Sequence, residues 1–329
     1  MSGSNSTQKE QPIFTIADLN LMENELAKGE EYITYRLRGG GFLKRKNPCF
    51  GQGPSNPGQG SISGSIEHFN GVSFADEQVL EQVTAKGRQA LFSPFVVEMW
   101  TRSGPQISKA DADLEMQTVI KEWEASEQCR NLIKTLESTI VPNITKIISF
   151  GPGSIAGVQP ATRRRQQKEH ALILTVRRVL EERIGFGVSI PIYAQEIRYT
   201  DVCKKVLREL GIQPIDCFGL RGFTMIDDET LVMSHNLPIP IRQIVADIAR
   251  PAAMYWKPEV PEADYSKPPD MYDADKDSSR TRKMMLEYDH VRIIGSSLSR
   301  FPYKDLGNRL KDSNEVFFNS TLYIRKPGN

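Results

Sequence analysis

NITKIISFGPGSIAG, residues 143–157, decides the fold. Ile144, Ile147, Ile148 and Phe150 crowd a short run with β-branched residues, the composition of a strand buried in a sheet. Gly151-Pro152-Gly153-Ser154 ends it in a turn. Ala171, Leu172, Leu174, Val176, Val179 and Leu180 then predict a helix over about 161–183. Strand, glycine turn and helix make the first half of a βαβ unit.

The alternation continues to the C-terminus. VSIPIY (188–193) reads as the next strand, and DVCKKVLREL (201–210) as a helix stopped by Gly211. IQPIDCF (212–218) and TLVMSH (230–235) are two further strands, with IRQIVADIA (241–249) as the following helix. HVRIIGSS (290–297) and VFFNSTLYI (316–324) supply two more. Such alternation implies βαβ crossovers, a mainly parallel sheet and helices on both faces: a Rossmann-like α/β domain over 142–329. Residues 257–283, rich in Pro, Asp, Lys and Ser, read as an exposed loop within it.

The preceding residues have a different texture. Residues 1–12 are a polar tail. Residues 13–141 read as a mostly helical extension with a flexible loop at 38–66. Thr15 and Asp18 open one helix, carrying Ile16, Leu19, Met22 and Leu26 and stopped by Gly29. Ser73 and Asp76 open a second, which Pro94 breaks, and Ser108 with Asp111 opens a third running toward Ile140. GGG (39–41) and GQGPSNPGQG (51–60) lack the GK[ST] of a phosphate loop, so they read as flexible connection.

The chain has 329 residues, with 42 Lys plus Arg against 41 Asp plus Glu, a formal net charge of +1. This balance argues against a broad basic face for nucleic acid and leaves only a local patch. No run of about 18 apolar residues predicts a membrane span, and MSGSNSTQKEQP lacks a secretory signal's apolar stretch. Cys49, Cys129, Cys203 and Cys217 form no CxxC pair, and the four His are scattered, so no metal site is expected. Reduced thiols in a cytoplasmic or nuclear protein are the expectation.

Candidate site residues fall at strand ends, where open α/β sheets bind ligands. Gly151, Gly153, Ser154 and Gly157 form a GxGxxxG turn that either approaches a ligand or simply turns the chain; Pro152 removes one amide donor. Arg163, Arg164 and Arg165 sit near the start of the next helix, where they either meet an anion or pair with carboxylates, with one of them facing the glycine loop. Glu196, after the second strand, either holds ribose hydroxyls or is an exposed loop carboxylate, and it falls later than the usual spacing of about 20 residues. His235 with Asn236 comes after the fourth strand, as an acid or base or as a loop-bonded imidazole. His170 reads as packed, and Asp227, Asp228 and Glu229 as a solvated turn rather than a metal site.

Taken in order, these segments resemble the family named for "sensitivity to red light reduced", the SRR-like domain, in a fungal-type member. IISFGPGSI resembles the family's apolar strand and Gly-x-Gly-Ser turn, and EHALILTVRRVL its Gln-plus-apolar helix. IYAQEIRYTDVCKKVLRELG and LVMSHNLP resemble its acid-bearing strand end and its strand-plus-His segment. VRIIGSSLSRF and VFFNSTL resemble the closing Gly-Asn-Ser-Phe and Phe-Asn motifs, which add Gly295 and Ser296 to the candidate ligand contacts. The chain departs from the pattern at Glu169 for Gln, Glu196-Ile197 for Asp-Pro, Asn236 for Cys, and Ser296 and Leu298 for Asn and Phe. The resemblance implies a Rossmann-like eukaryotic regulatory protein with no agreed enzymatic activity.

The expectation is therefore a regulatory or interaction protein, with a protein partner and a cleft for a nucleotide-like ligand. The alternative is an S-adenosylmethionine-dependent transferase, with an NAD-dependent oxidoreductase disfavoured by the glycine spacing. Candidate cofactors are S-adenosylmethionine or a nucleotide. Nucleic-acid binding through Arg163–Arg165 is a third and less favoured possibility.

Overall fold

Helix α1 (Ile16–Ala27) is the first element among the described residues, and Thr15 caps it by accepting from the Asp18 amide at 3.1 Å. The structure is a computed structural model and describes residues 11–48, 50, 61–63, 66–103, 106–139, 142–185, 187–216, 218–234, 239–256, 275, 277–293 and 320–328. Strands β1 (Tyr32–Arg36) and β2 (Phe42–Lys46) form an antiparallel hairpin. Strands β3 (Ser61–Ser63) and β4 (Ile66–Phe74) are followed by helix α2 (Glu77–Ala85), capped by Asp76. Strand β5 (Phe95–Ser103) then completes an antiparallel sheet ordered β3-β4-β5. Helices α3 (Lys109–Glu124) and α4 (Glu127–Ser138) come next, capped by Ser108 and Ser126.

The N-terminal region thus differs from the mostly helical extension expected of it. Its helices form, but five strands stand among them. β2 and β3 lie inside the stretch expected to be a flexible loop; FLKRK carries only two apolar residues, too few to show a strand's alternation. Residues 51–60 of that stretch lie outside the described residues. Ser73 belongs to β4, leaving Asp76 alone as the cap of α2. The single helix expected from 108 to 140 is two, because the Ser126 side chain accepts from the Cys129 amide and starts a new helix.

The main sheet begins with β6 (Lys146–Phe150), α5 (Pro160–Ile184), β7 (Ile192–Gln195), α6 (Asp201–Glu209) and β8 (Ile212–Pro214). It continues through α7 (Arg221–Thr224), β9 (Thr230–Ser234), α8 (Ile241–Ile248) and β10 (Ala253–Trp256). Helix α9 (Ser279–Met285) and strands β11 (Tyr288–Ile293) and β12 (Ser320–Arg325) close it. The order is β11-β12-β10-β9-β6-β7-β8, with β8, β7, β6, β9 and β10 parallel and β12 antiparallel between β10 and β11. Counted along the chain, these seven strands stand in the order 3-2-1-4-5-7-6. Strand β10 and helix α9 have no counterpart in the sequence-based expectation; α9 occupies the end of the 257–283 stretch, whose residues 257–274 and 276 lie outside the described set.

Each face of the sheet has its own core. On one face Ile147, Ile192, Leu231 and Leu322 pack against α3, α4, α5 and α6 through Met116, Trp123, Leu132, Leu172 and Leu207. On the other, Ile148, Phe150, Val232 and Trp256 meet α1, the hairpin, β4–β5 and helices α7–α9 through Leu19, Ile33, Phe95 and Ile244. The N-terminal elements therefore cover both faces of the sheet. Each fully buried Leu, Ile or Phe adds about 1.5–3 kcal/mol. The Trp123 indole N–H donates to Thr175 Oγ1 at 2.9 Å and ties α3 to α5 inside the first core. Cys129 and Cys203 are buried free thiols.

Polar ties fasten the N-terminal segment to the second face. Asp247 Oδ2 on α8 accepts from the amides of Ile13 at 2.8 Å and Phe14 at 3.0 Å, while Oδ1 pairs with Arg280 Nε at 2.9 Å. Glu77 of α2 accepts from Ser279 N and Oγ, clamping α2 to the start of α9. Removing Asp247 would leave two amides without their acceptor and a nearly buried guanidinium with only Glu77, 3.7 Å away, as its acidic partner among the described residues. Asp247→Ala is expected to lower the unfolding free energy by about 3–5 kcal/mol in urea denaturation, in the range for breaking one partner of a buried pair.

Candidate functional site

The strand order reverses between β6 and β9, and the chain leaves β6 at the carboxyl edge of the sheet through Gly151–Gln159. The Gly151 amide donates to Gln195 O at 2.9 Å, so the β6–β7 pairing continues into the turn. Gly153 has φ +82°, and a Cβ there would fall 2.3 Å from the Gln166 side chain. Its amide donates to Glu196 Oε2 at 3.2 Å, and Glu196 Oε1 accepts from the Arg198 amide at 2.9 Å. The strand-end acid and the glycine turn, two separate signals in the sequence, are thus bonded to each other. The 25-residue length of α5 and the loop before it account for the long interval between them. Gly151, Ser154, Gly157, Gln166 and Glu196 are half-buried and line the solvent side of this edge.

Beneath the turn lies a buried polar layer. His170 Nδ1 is 2.7 Å from Gln166 O, and Nε2 is 2.6 Å from the Tyr199 hydroxyl. A carbonyl only accepts, so Nδ1 carries the proton and Nε2 accepts from the tyrosine. Burial depresses the His170 pKa to about 4, and burial with the nearby Glu196 charge raises Tyr199 well above its ordinary value. The pair is neutral across physiological pH. Burial likewise raises Glu169 far above the usual carboxylate range, against the pull of Arg165 and with a push from Glu196. Ser154 Oγ lies 3.2 Å from the Cys203 sulfur, which also accepts from Thr200 Oγ1 at 3.3 Å.

The arginines are engaged within the protein. Arg163 is buried; its Nε and Nη2 meet both carboxylate oxygens of Glu115 at 2.7 and 2.8 Å, and Nη1 donates to Gly157 O at 2.6 Å. It is the arginine that faces the glycine loop, and its charge is matched by a carboxylate of α3. The Arg163 bonds hold Glu115 below its ordinary pKa despite partial burial. Arg164 pairs with Glu122, and exposed Arg165 stands 4.0 Å from Glu169.

Other candidates divide between separate places and undescribed ones. Asp227 bonds Thr230 and pairs with Lys146 at the opposite, amino edge of the sheet, as the solvated-turn alternative required. Among the described residues no group of three His, Cys, Asp or Glu is arranged to hold a metal. His235, Asn236, Gly295 and Ser296 lie outside the described residues, although β9 and β11, which lead to them, end at the same edge as β6. Glu115, Gln166, Glu169, Tyr199 and Cys203 join the site without having been expected there. Only Tyr199 and Cys203 carry a signal in the sequence, as polar members of the segment after the second strand.

This geometry gives two measurable consequences. Gly153→Ala is expected to cost about 2 kcal/mol of stability, and about 1 kcal/mol in a Gln166→Ala background, where only the left-handed backbone penalty remains. Glu169 keeps a proton in the folded state that the unfolded chain releases above about pH 4.5, so its contribution is fully present below that pH and fades as pH rises through the folded pKa. Glu169→Gln should match the parent in urea melts at pH 4.5 and exceed it increasingly toward pH 8.

No protein-family model, no curated protein and no solved structure matches this chain, so its functional reading rests on its own residues.

Proposed function

We propose that the chain is a regulatory protein of SRR-like type whose cleft, at the carboxyl ends of β6 and β7, takes a nucleoside-bearing ligand. S-adenosylmethionine and its demethylated product are the first candidates. One observation carries this reading: the strand order 3-2-1-4-5-7-6 with a reversed seventh strand, holding a carboxylate at the end of the second strand. That order puts a switch point between β6 and β9, where open α/β sheets take their ligands. In related nucleotide folds the acid at this point meets the ribose hydroxyls.

The local chemistry favours a ligand without a diphosphate. A diphosphate needs several outward amides at a helix N-terminus directly after the first strand. Here Pro152 has no amide hydrogen, the Gly153 amide donates to Glu196, and α5 begins only at Pro160. A ribose asks only for an acceptor such as Glu196. Glu169 also supports the SRR-like reading. It stands where that family carries Gln, and burial holds it toward the protonated form, which is close to Gln in shape and charge.

The titratable groups beneath the turn favour regulation over turnover. His170 is neutral with both nitrogens engaged, and Tyr199 donates into it. Neither is placed as a general base. A transferase is the second reading, with Glu196 facing the ribose.

Native mass spectrometry of the purified full chain, followed by calorimetric titration with S-adenosylmethionine and its demethylated product, tests the proposal. One-to-one binding is expected. Glu196→Ala, with its fold checked by circular dichroism, should weaken it about 10- to 100-fold, as for loss of a charged hydrogen bond. No carried-over ligand and no binding at millimolar concentration would overturn it; methyl transfer by the pure protein would establish the second reading.

A further inference from the structure

The hairpin β1–β2 carries a second surface, remote in kind from the cleft. Between Tyr32 and Asn47 the chain has five cations, Arg36, Arg38, Lys44, Arg45 and Lys46, and no acidic residue. In a chain of net charge +1 this is a strong local concentration. The register sets Tyr32 opposite Lys46, Thr34 opposite Lys44 and Arg36 opposite Phe42. Opposed residues share a face. Ile33 and Tyr35 point into the core, so these six side chains make the outward face.

That face is open at Tyr32, Phe42, Lys44 and Lys46, while at its β1 side the α1 carboxylates Glu25 and Asp18 meet Thr34 and Arg36. Tyr32 is 50% and Phe42 62% exposed. Lys44 and Lys46 are exposed, and among the described residues no carboxylate pairs with either. Arg36 pairs with Asp18 at 3.2 Å while remaining half-exposed. The platform is fixed: beyond the tip, the Arg38 and Gly39 amides donate to Phe92 O at 2.9 Å and Ala90 O at 3.1 Å. Arg45 lies 5.9 Å from the centre of the Tyr35 ring, on the inward side.

We infer that this face binds a single-stranded nucleic acid. Alternate residues of a strand stand about 7 Å apart, so Lys44 and Lys46 are spaced close to the phosphate repeat of a stretched single strand. Tyr32 and Phe42 cap the row at either end, as stacking platforms for bases. The row from one ring to the other is about 14 Å long, room for two or three nucleotides. Aromatic rings alternating with cations favour this occupant over an acidic peptide, which offers no bases to stack. They also favour it over a lipid surface, which would call for a broader apolar wedge.

Fluorescence anisotropy with labelled oligothymidylate and oligouridylate, using the full chain, tests the inference. Binding is expected at 50 mM salt, with two or three phosphate contacts giving a log–log salt slope of about −1.4 to −2.1. Lys44→Glu with Lys46→Glu should weaken it at least tenfold, and Phe42→Ala at least about fivefold, each with an unchanged thermal melt. Lys134→Glu, exposed on α4, should leave it unchanged. Absence of binding, equal loss in the Lys134 variant, or binding to anionic phosphatidylserine vesicles without binding to either oligonucleotide would overturn it. Because β1–β2 does not contribute to the cleft, S-adenosylmethionine titration of the same variants separates this result from the proposal above.

Discussion

Strand β6 is buried on both sides: Ile147 enters one core, and Ile148 and Phe150 enter the other. A parallel sheet exists only where both faces are covered, and this chain covers them unequally from within the α/β repeat. On one face α5 runs for 25 residues beside α6. On the other the described residues of the repeat supply α7, α8 and α9, of four, eight and seven residues. Those short helices leave Phe150, Val232 and Trp256 without enough cover. Helix α1, the hairpin and the β4–β5 strands supply the remainder. The N-terminal region is accordingly part of the fold's core, and the Asp247 contacts with Ile13, Phe14 and Arg280 fasten it there.

That requirement explains which elements are legible in the sequence. β6, α5, α6, β9 and α8 stand there as strongly apolar or periodic runs bounded by glycine or proline. The strand expected at 188–193 starts about four residues too early, because its apolar run includes Pro191 and the pairing begins only at Ile192. β10 is four residues long, AMYW, too short for any periodicity, and only its place between β9 and β12 makes it a strand. In β1–β2 Ile33 and Tyr35 are buried, and in β4–β5 Val72, Phe95 and Val97 are, with exposed residues interleaved among them. Their signal is weak within a Gly- and Ser-rich context.

The site is legible in its backbone and less so in its side chains. Glycines at 151 and 153 announce positive φ, and the turn needs it at both. Glu196 can be placed from its position after the second strand. Glu115 and Glu169 cannot, because one reaches the site from α3 and the other becomes unusual only through burial. A helix placed by tertiary packing brings residues that no local pattern associates with the turn.

Glu115 also bears on what the cleft can accept. Its carboxylate lies against Arg163 in the first turn of α5, near the positive end of that helix dipole. In a nucleotide fold that position is open to a phosphate. Here the helix that covers the sheet supplies the anion, and Arg163 Nη1 is drawn onto Gly157 O. Covering the sheet and closing the phosphate position are therefore one event, achieved by α3. Among the described residues, the carboxylate of Glu196 stands as a charged acceptor on the β7 side of the turn. A ligand that fits this edge would be recognised by its hydroxyl donors, and its affinity would depend little on phosphate charge.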